Sequence, residues 1–76
     1  MTKLPVISGR DCVRALERAG FAVRRQKGSH LVLRRDIPFA QVVVPDHKTL
    51  DRGTLRAILR HAGITLQELE RLLSQP

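Results

Sequence analysis

The spacing of apolar residues along the chain changes twice. In "SGRDCVRALERAG", Cys12, Val13, Leu16 and Ala19 share one helical face, and Arg10, Arg14, Glu17 and Arg18 occupy the other. Ser8 stands at the N-cap, with Asp11 three residues on in the capping-box position. Ile7 and Cys12 have the spacing of a hydrophobic staple, and Gly20 ends the helix, because glycine takes the left-handed conformation without a Cβ penalty. The period then shortens to two. Phe21 and Val23 alternate with Ala22 and Arg24, and Leu31 and Leu33 alternate with His30, Val32 and Arg34. Lys27-Gly28 offers a two-residue turn between these runs. A second turn falls in "RDIPF", where Pro38 cannot pair within a central strand. "AQVVVP" reads as a third strand, stopped by Pro45.

The helical period returns in "DRGTLRAILRHAG". Leu55, Ile58, Leu59 and Ala62 recur at i, i+3, i+4 and i+7, between a cap at Asp51 and a stop at Gly63. A last short helix follows in "ITLQELERLL", with Thr65 as cap, Glu68 in a capping-box position, and Ile64 stapled to Leu69. The expected fold class is therefore α+β. Three strands joined by short turns make an antiparallel meander, and amphipathic helices on each side of it in sequence cover one sheet face and leave the other open.

Length narrows the picture to one small domain, residues 1–76, since 76 residues suffice for one modest core. A single cysteine, Cys12, excludes an internal disulfide and favours an intracellular setting; on a helix's apolar face it reads as a small buried hydrophobe rather than a nucleophile. The chain has no apolar run long enough for a membrane span, and "MTKLPVISGRD" lacks the apolar stretch of a secretory signal. The expected compartment is the cytoplasm, with no membrane partner.

Charge changes the picture more. Fourteen Lys and Arg against seven Asp and Glu give a formal net charge of +7. Such an excess on a small domain points to an anionic partner, with nucleic acid first and an acidic protein second. Phe21 and Phe39 are the only aromatic residues, which argues against readers that stack single-stranded bases on aromatic platforms.

The segments "LERAGF", "QKGSH", "VVVPDHK" and "GTLRAILRHAGIT" occur in the order and with the spacing of the HicA-like toxins, the small members of HicA–HicB type II toxin–antitoxin pairs. The chain resembles that family from about Ser8 to Leu73. The resemblance implies a fold similar to a double-stranded RNA-binding domain, with helices on one face of a three-stranded sheet. It implies a ribosome-independent mRNA interferase that needs no metal and no cofactor, and a HicB-like antitoxin as partner in a heteromeric complex. It also implies that the histidine of the Gly-Ser-His motif, His30, is catalytic. Many relatives carry a second histidine directly after it, where this chain has Leu31.

The residues agree with that role on their own chemistry. Metal-free RNA cleavage needs a group that takes the 2′-hydroxyl proton near neutral pH, and imidazole suits it. Cations must stabilise the charge that grows on phosphorus, and Lys27, Arg24 and Arg34 lie within a strand or turn of His30. Gly28 leaves room for a close phosphate and can donate its N–H. Ser29 can donate a hydrogen bond, though strand parity points it towards the helices. His47, in "VPDHKTL", is a second-tier candidate whose alternative role is hydrogen bonding in a turn. His61 sits in a last helical turn, where the dipole favours positive charge. The set His30, Asp46 and His47 matches no common metal-ligand spacing. Arg52, Arg56 and Arg60 form a stripe that is either a solvated face or a phosphate track. Two other functions compete. A non-catalytic module binding double-stranded RNA by shape shares the fold and charge and needs no histidine. A helix-turn-helix around "AGIT" would place Glu68 and Glu70 on the recognition helix, where they repel phosphates.

Overall fold

The computed structural model describes residues 3–75; Met1, Thr2 and Pro76, the ends of the expected 1–76 domain, lie outside it. The order is α1 (Gly9–Arg18), β1 (Ala22–Lys27), β2 (His30–Asp36), β3 (Phe39–Pro45), α2 (Arg52–Ala62) and α3 (Leu66–Leu73). The strands form one antiparallel sheet in the order β1-β2-β3. This is an α+β fold with the helix–meander–helix arrangement of a double-stranded RNA-binding domain, extended by α3. Among the described residues no helix is long and apolar enough to cross a membrane.

The caps explain why the helices begin where they do. Ser8 Oγ accepts from the Asp11 N–H at 3.0 Å, and Asp11 Oδ2 accepts from the Ser8 N–H at 3.4 Å, so the expected box closes. Asp51 Oδ1 accepts from the Thr54 N–H at 2.7 Å, and Gly63 ends α2 with φ 73°. Thr65 caps α3 through the Glu68 N–H at 3.1 Å. The reciprocal half of that cap is not made. Glu68 turns instead towards Arg71, 3.7 Å away and one turn on along the helix.

The core lies between the sheet and the helices. Leu31 and Leu33 of β2 and Val42 and Val44 of β3 meet Cys12, Leu16, Leu55, Ile58, Leu69 and Leu72. Leu16, Leu33, Leu55 and Leu69 are fully buried; truncating one to alanine costs roughly 2–5 kcal/mol. Strand β1 contributes little, and all six of its residues are exposed. Phe21, just before it, fills that side of the core, and the Arg35 guanidinium lies 4.7 Å from its ring centroid. Arg35 also donates to the Pro38 and Ala62 carbonyls, tying the far end of β2 to the end of α2.

Candidate active site

The hairpin that carries His30 departs from expectation by one residue. Lys27 is the last residue of β1 and pairs with His30, so the two-residue turn is Gly28-Ser29, not Lys27-Gly28. Gly28 has φ 59° while Ser29 has not entered the positive region, the combination a two-residue hairpin takes with glycine first. A Cβ on Gly28 would meet nothing within 4 Å, so backbone conformation rather than crowding inside the protein demands glycine. Ser29 belongs to the turn, where strand parity no longer applies. It is exposed rather than directed at the helices, and its carbonyl accepts from the Asp46 N–H at 2.6 Å.

Register then decides what surrounds His30. Directly opposed residues of antiparallel strands put their side chains on the same face. Lys27, His30 and Pro45 form one row across the open face. The next row is Arg25, Val32 and Val43, and the third is Ala22, Arg34 and Gln41. The pairing of β1 slips between Val23 and Arg25, so Arg24 and Arg25 together oppose Val32. This bulge turns an alternating strand into a doubled cationic position, and it adds Arg25, which sequence periodicity does not single out. Lys27 is thus the cation beside His30, and Arg24 and Arg25 stand one row on. Arg34 is four residues along the strand, about 13 Å from His30, and its Nε pairs with Asp36 Oδ1 at 2.9 Å. It cannot share a single phosphate with His30.

The other wall of this end is the β3–α2 connection. Asp46 is tied to the turn through Ser29, and the Gly9 N–H donates to the His47 carbonyl at 2.8 Å. The Leu50 N–H donates to the Ile7 carbonyl at 2.9 Å. His47 is exposed at the same end of the molecule as His30. Asp46 is held by Arg10 through two hydrogen bonds, of 3.1 and 3.0 Å. Among the described residues no cluster of three His, Cys, Asp or Glu side chains is placed to hold a metal ion. The N–H and then the side chain of Thr54 hold the Asp51 carboxyl below its ordinary value, with a smaller contribution from the charge of His47. Burial pushes the Cys12 thiol up to about 12, so it stays protonated and unreactive in the core.

The His30 imidazole is exposed and hydrogen-bonded to no described residue, which leaves both ring nitrogens available. A groove of about 610 Å³ lies elsewhere, between Leu4–Val6 and Thr49–Gly53, and His30 does not line it. A search of curated proteins finds no match. A family model described as "HicA toxin of bacterial toxin-antitoxin" matches residues 9–64, from the start of α1 to the residue after the α2 stop. The chain therefore belongs to the HicA toxin family of bacterial toxin–antitoxin systems.

Proposed function

We propose that residues 1–76 form one HicA-like domain that acts in the cytoplasm as a ribosome-independent, metal-independent mRNA interferase. One observation carries this reading: an exposed, unpartnered imidazole at one end of an open sheet face, beside Lys27 and one row from Arg24 and Arg25. Neutral His30 takes the proton of a ribose 2′-hydroxyl. The freed oxygen attacks the adjacent phosphorus, the bond to the 5′ oxygen breaks, and a cyclic phosphate and a 5′-hydroxyl result. Lys27, Arg24 and Arg25 stabilise the charge that develops on the phosphoryl oxygens. The Gly28 N–H and the Ser29 hydroxyl border the same space and bind the phosphate. Arg34 holds a neighbouring nucleotide rather than the reacting one. His47 is the second imidazole at this end and serves as the candidate acid that protonates the leaving oxygen.

No metal step is needed in this scheme, because the two imidazoles move both protons and Lys27, Arg24 and Arg25 carry the developing charge. A HicB-like antitoxin neutralises the protein by covering this face, where its carboxylates compete with RNA for the same cations. The test is single-turnover cleavage of a long RNA in EDTA, with wild type beside His30→Ala. Wild type cleaves the RNA, and the variant retains the fold but loses cleavage. An exposed substitution of this kind changes stability by no more than about 0.5 kcal/mol. Undiminished cleavage by the folded variant refutes the role of His30. RNA binding without cleavage by wild type favours the non-catalytic double-stranded RNA module.

A further inference from the structure

Basic residues are not distributed evenly with respect to their partners. On α1, Arg10 pairs with Asp46, Arg14 with Asp11, and Arg18 donates to the Leu72 carbonyl at 2.7 Å. On α3, Arg71 faces Glu68. On β2, Arg34 pairs with Asp36 and Arg35 donates to two carbonyls. Helix α2 differs. Arg52, Arg56 and Arg60 are all exposed, and no described acidic residue pairs with them. The chain has no Asp or Glu from residue 52 to residue 67.

This arrangement works against helix stability. Like charges four residues apart repel along a helix, and Arg52 sits in the first turn, where the helix dipole disfavours a cation. On α1, where Arg10, Arg14 and Arg18 have the same spacing, each cation has a partner. The stripe also has a direction. Pro45, the last residue of β3, lies beside His30, and the connection that begins there leads through Lys48 to Arg52. At the opposite end of α2 the Ala62 carbonyl accepts from Arg35, so the helix runs back from the His30 end to the far end of the sheet. Arg52 is thus the member nearest His30, and successive arginines advance by about 6 Å each, close to the separation of neighbouring phosphates on one strand.

We propose that Lys48, Arg52, Arg56 and Arg60 form a second RNA-backbone site, continuous with the His30 face around the end of the molecule. It binds the phosphates of an RNA too long for the sheet face alone, and so makes affinity depend on substrate length. The proposal rests on RNA being the substrate of the sheet face. Each phosphate neutralised by the stripe releases condensed counterions, so the site carries its own share of the salt dependence and reads no base sequence.

The test compares wild type with the triple variant R52Q/R56Q/R60Q and the charge-retaining R52K/R56K/R60K. The probes are a tetranucleotide and a long transcript, followed by Kd over a salt series and by single-turnover cleavage. On the long transcript, the glutamine variant should bind about tenfold or more weaker, with a log–log salt slope shallower by about 2. Its rate at saturating RNA, and its cleavage of the tetranucleotide, should match wild type. The lysine variant should retain wild-type affinity. Glutamine removes the repulsion along α2, so its thermal stability should not fall; if it does, R56Q alone should still reduce the slope by about 0.7. An unchanged slope and affinity on the long transcript, with His30-dependent cleavage intact, overturns the second site and leaves the RNA reading standing. The proposal also falls if RNA binding is unchanged while antitoxin binding is lost, since the stripe then serves a protein. Absence of any RNA binding by wild type overturns both.

Discussion

Gly9→Ala adds one methyl group where the fold has no room for it. Gly9 is the first residue of α1 and is buried. A Cβ there would land on the Pro45 carbonyl oxygen, with the Pro45 carbonyl carbon at 3.1 Å and the Asp46 Cα at 3.2 Å. All three atoms are backbone, so no rotamer change relieves the contact, and either α1 or the β3–α2 connection must move. Overpacking of this kind costs roughly 1–3 kcal/mol. Alanine recovers less than about 1 kcal/mol of helix propensity, because the first helical position gains little. The net is a loss of about 1–2 kcal/mol. For a domain of this size that lowers Tm by roughly 5–15 °C. The same connection carries Pro45 opposite His30 and the His47 carbonyl that receives the Gly9 N–H, so cleavage by the folded fraction should fall as well.

Gly53→Ala is the internal control. Gly53 is also in a first helical turn, but its added Cβ would meet only Asp51 Oδ1, at an ordinary 3.6 Å. That substitution should stabilise the protein by about 0.4–1 kcal/mol through the unfolded chain. Thermal melts by circular dichroism, with two-state urea titration, measure both. A Gly9→Ala variant that melts at or above wild type refutes the steric argument. Equal losses in the two variants also refute it, since the Pro45 contact would then not be the cause.

Two further outcomes follow from the turn and from the ionisable groups. At Gly28 the penalty is conformational alone, so Gly28→Asn should cost less than Gly28→Ala, and Gly28→Val most, with alanine near about 1–2 kcal/mol; equal stabilities across the series would contradict a required positive φ. Stability should also decline at both pH extremes. Ser8 and Thr54 hold Asp11 and Asp51 below the ordinary 3.8, so their contribution is present above that value and lost as pH falls through the lowered ones. The Cys12 thiol is raised from 9.0 to about 12, so stability falls as pH climbs between those values, where the unfolded thiol ionises and the buried one does not. The chain has no tyrosine to obscure that limb, and urea titrations of wild type and Cys12→Ala should diverge across it; parallel curves would refute the assignment.

What the sequence made legible was local. Caps at Ser8, Asp51 and Thr65 depend on side chains bonding three residues away, and periodicity depends on neighbours within two turns. Both can be read from a short window, and the core faces of α1, α2, β2 and β3 follow from them. What escaped depends on partners distant in the chain. The bulge that pairs both Arg24 and Arg25 with Val32 leaves no mark on β1 itself, whose six residues are exposed whichever way they alternate. The turn slipped by one because a glycine serves either placement, and the pairing of Lys27 with His30 decides between them. Arg34 looked like a neighbour of His30 because the two share a strand face. The distance along the strand, and the commitment to Asp36, are properties of the folded sheet. Gly9 is an ordinary glycine in sequence and has no room for a Cβ where α1 meets Pro45.

The acidic residues explain how this charge can be concentrated. With a net charge of +7, the cheapest way to stabilise the compact state would be to set the seven carboxylates among the exposed cations. The fold uses them elsewhere. Asp11 and Asp51 cap helices, Asp46 is held by Arg10, Glu68 faces Arg71, and Asp36 pairs with Arg34 at the far end of the open face. Glu17 and Glu70 lie on α1 and α3, not on β1 or α2. Each exposed pair is worth at most about 1 kcal/mol, so stability alone gives little reason for this pattern. Its effect on the field is larger. Among the described residues Lys27, Arg24, Arg25, Lys48 and the α2 stripe have no acidic partner, and the carboxylate adjacent to His47 is neutralised by a two-bond arginine pair. Releasing that carboxylate by Arg10→Ala should therefore leave stability within about 1 kcal/mol of wild type, yet weaken RNA binding by leaving a bare anion next to His47 at the end of the molecule that carries the candidate site. Unaltered RNA affinity in that variant would show that the acids are placed for stability after all.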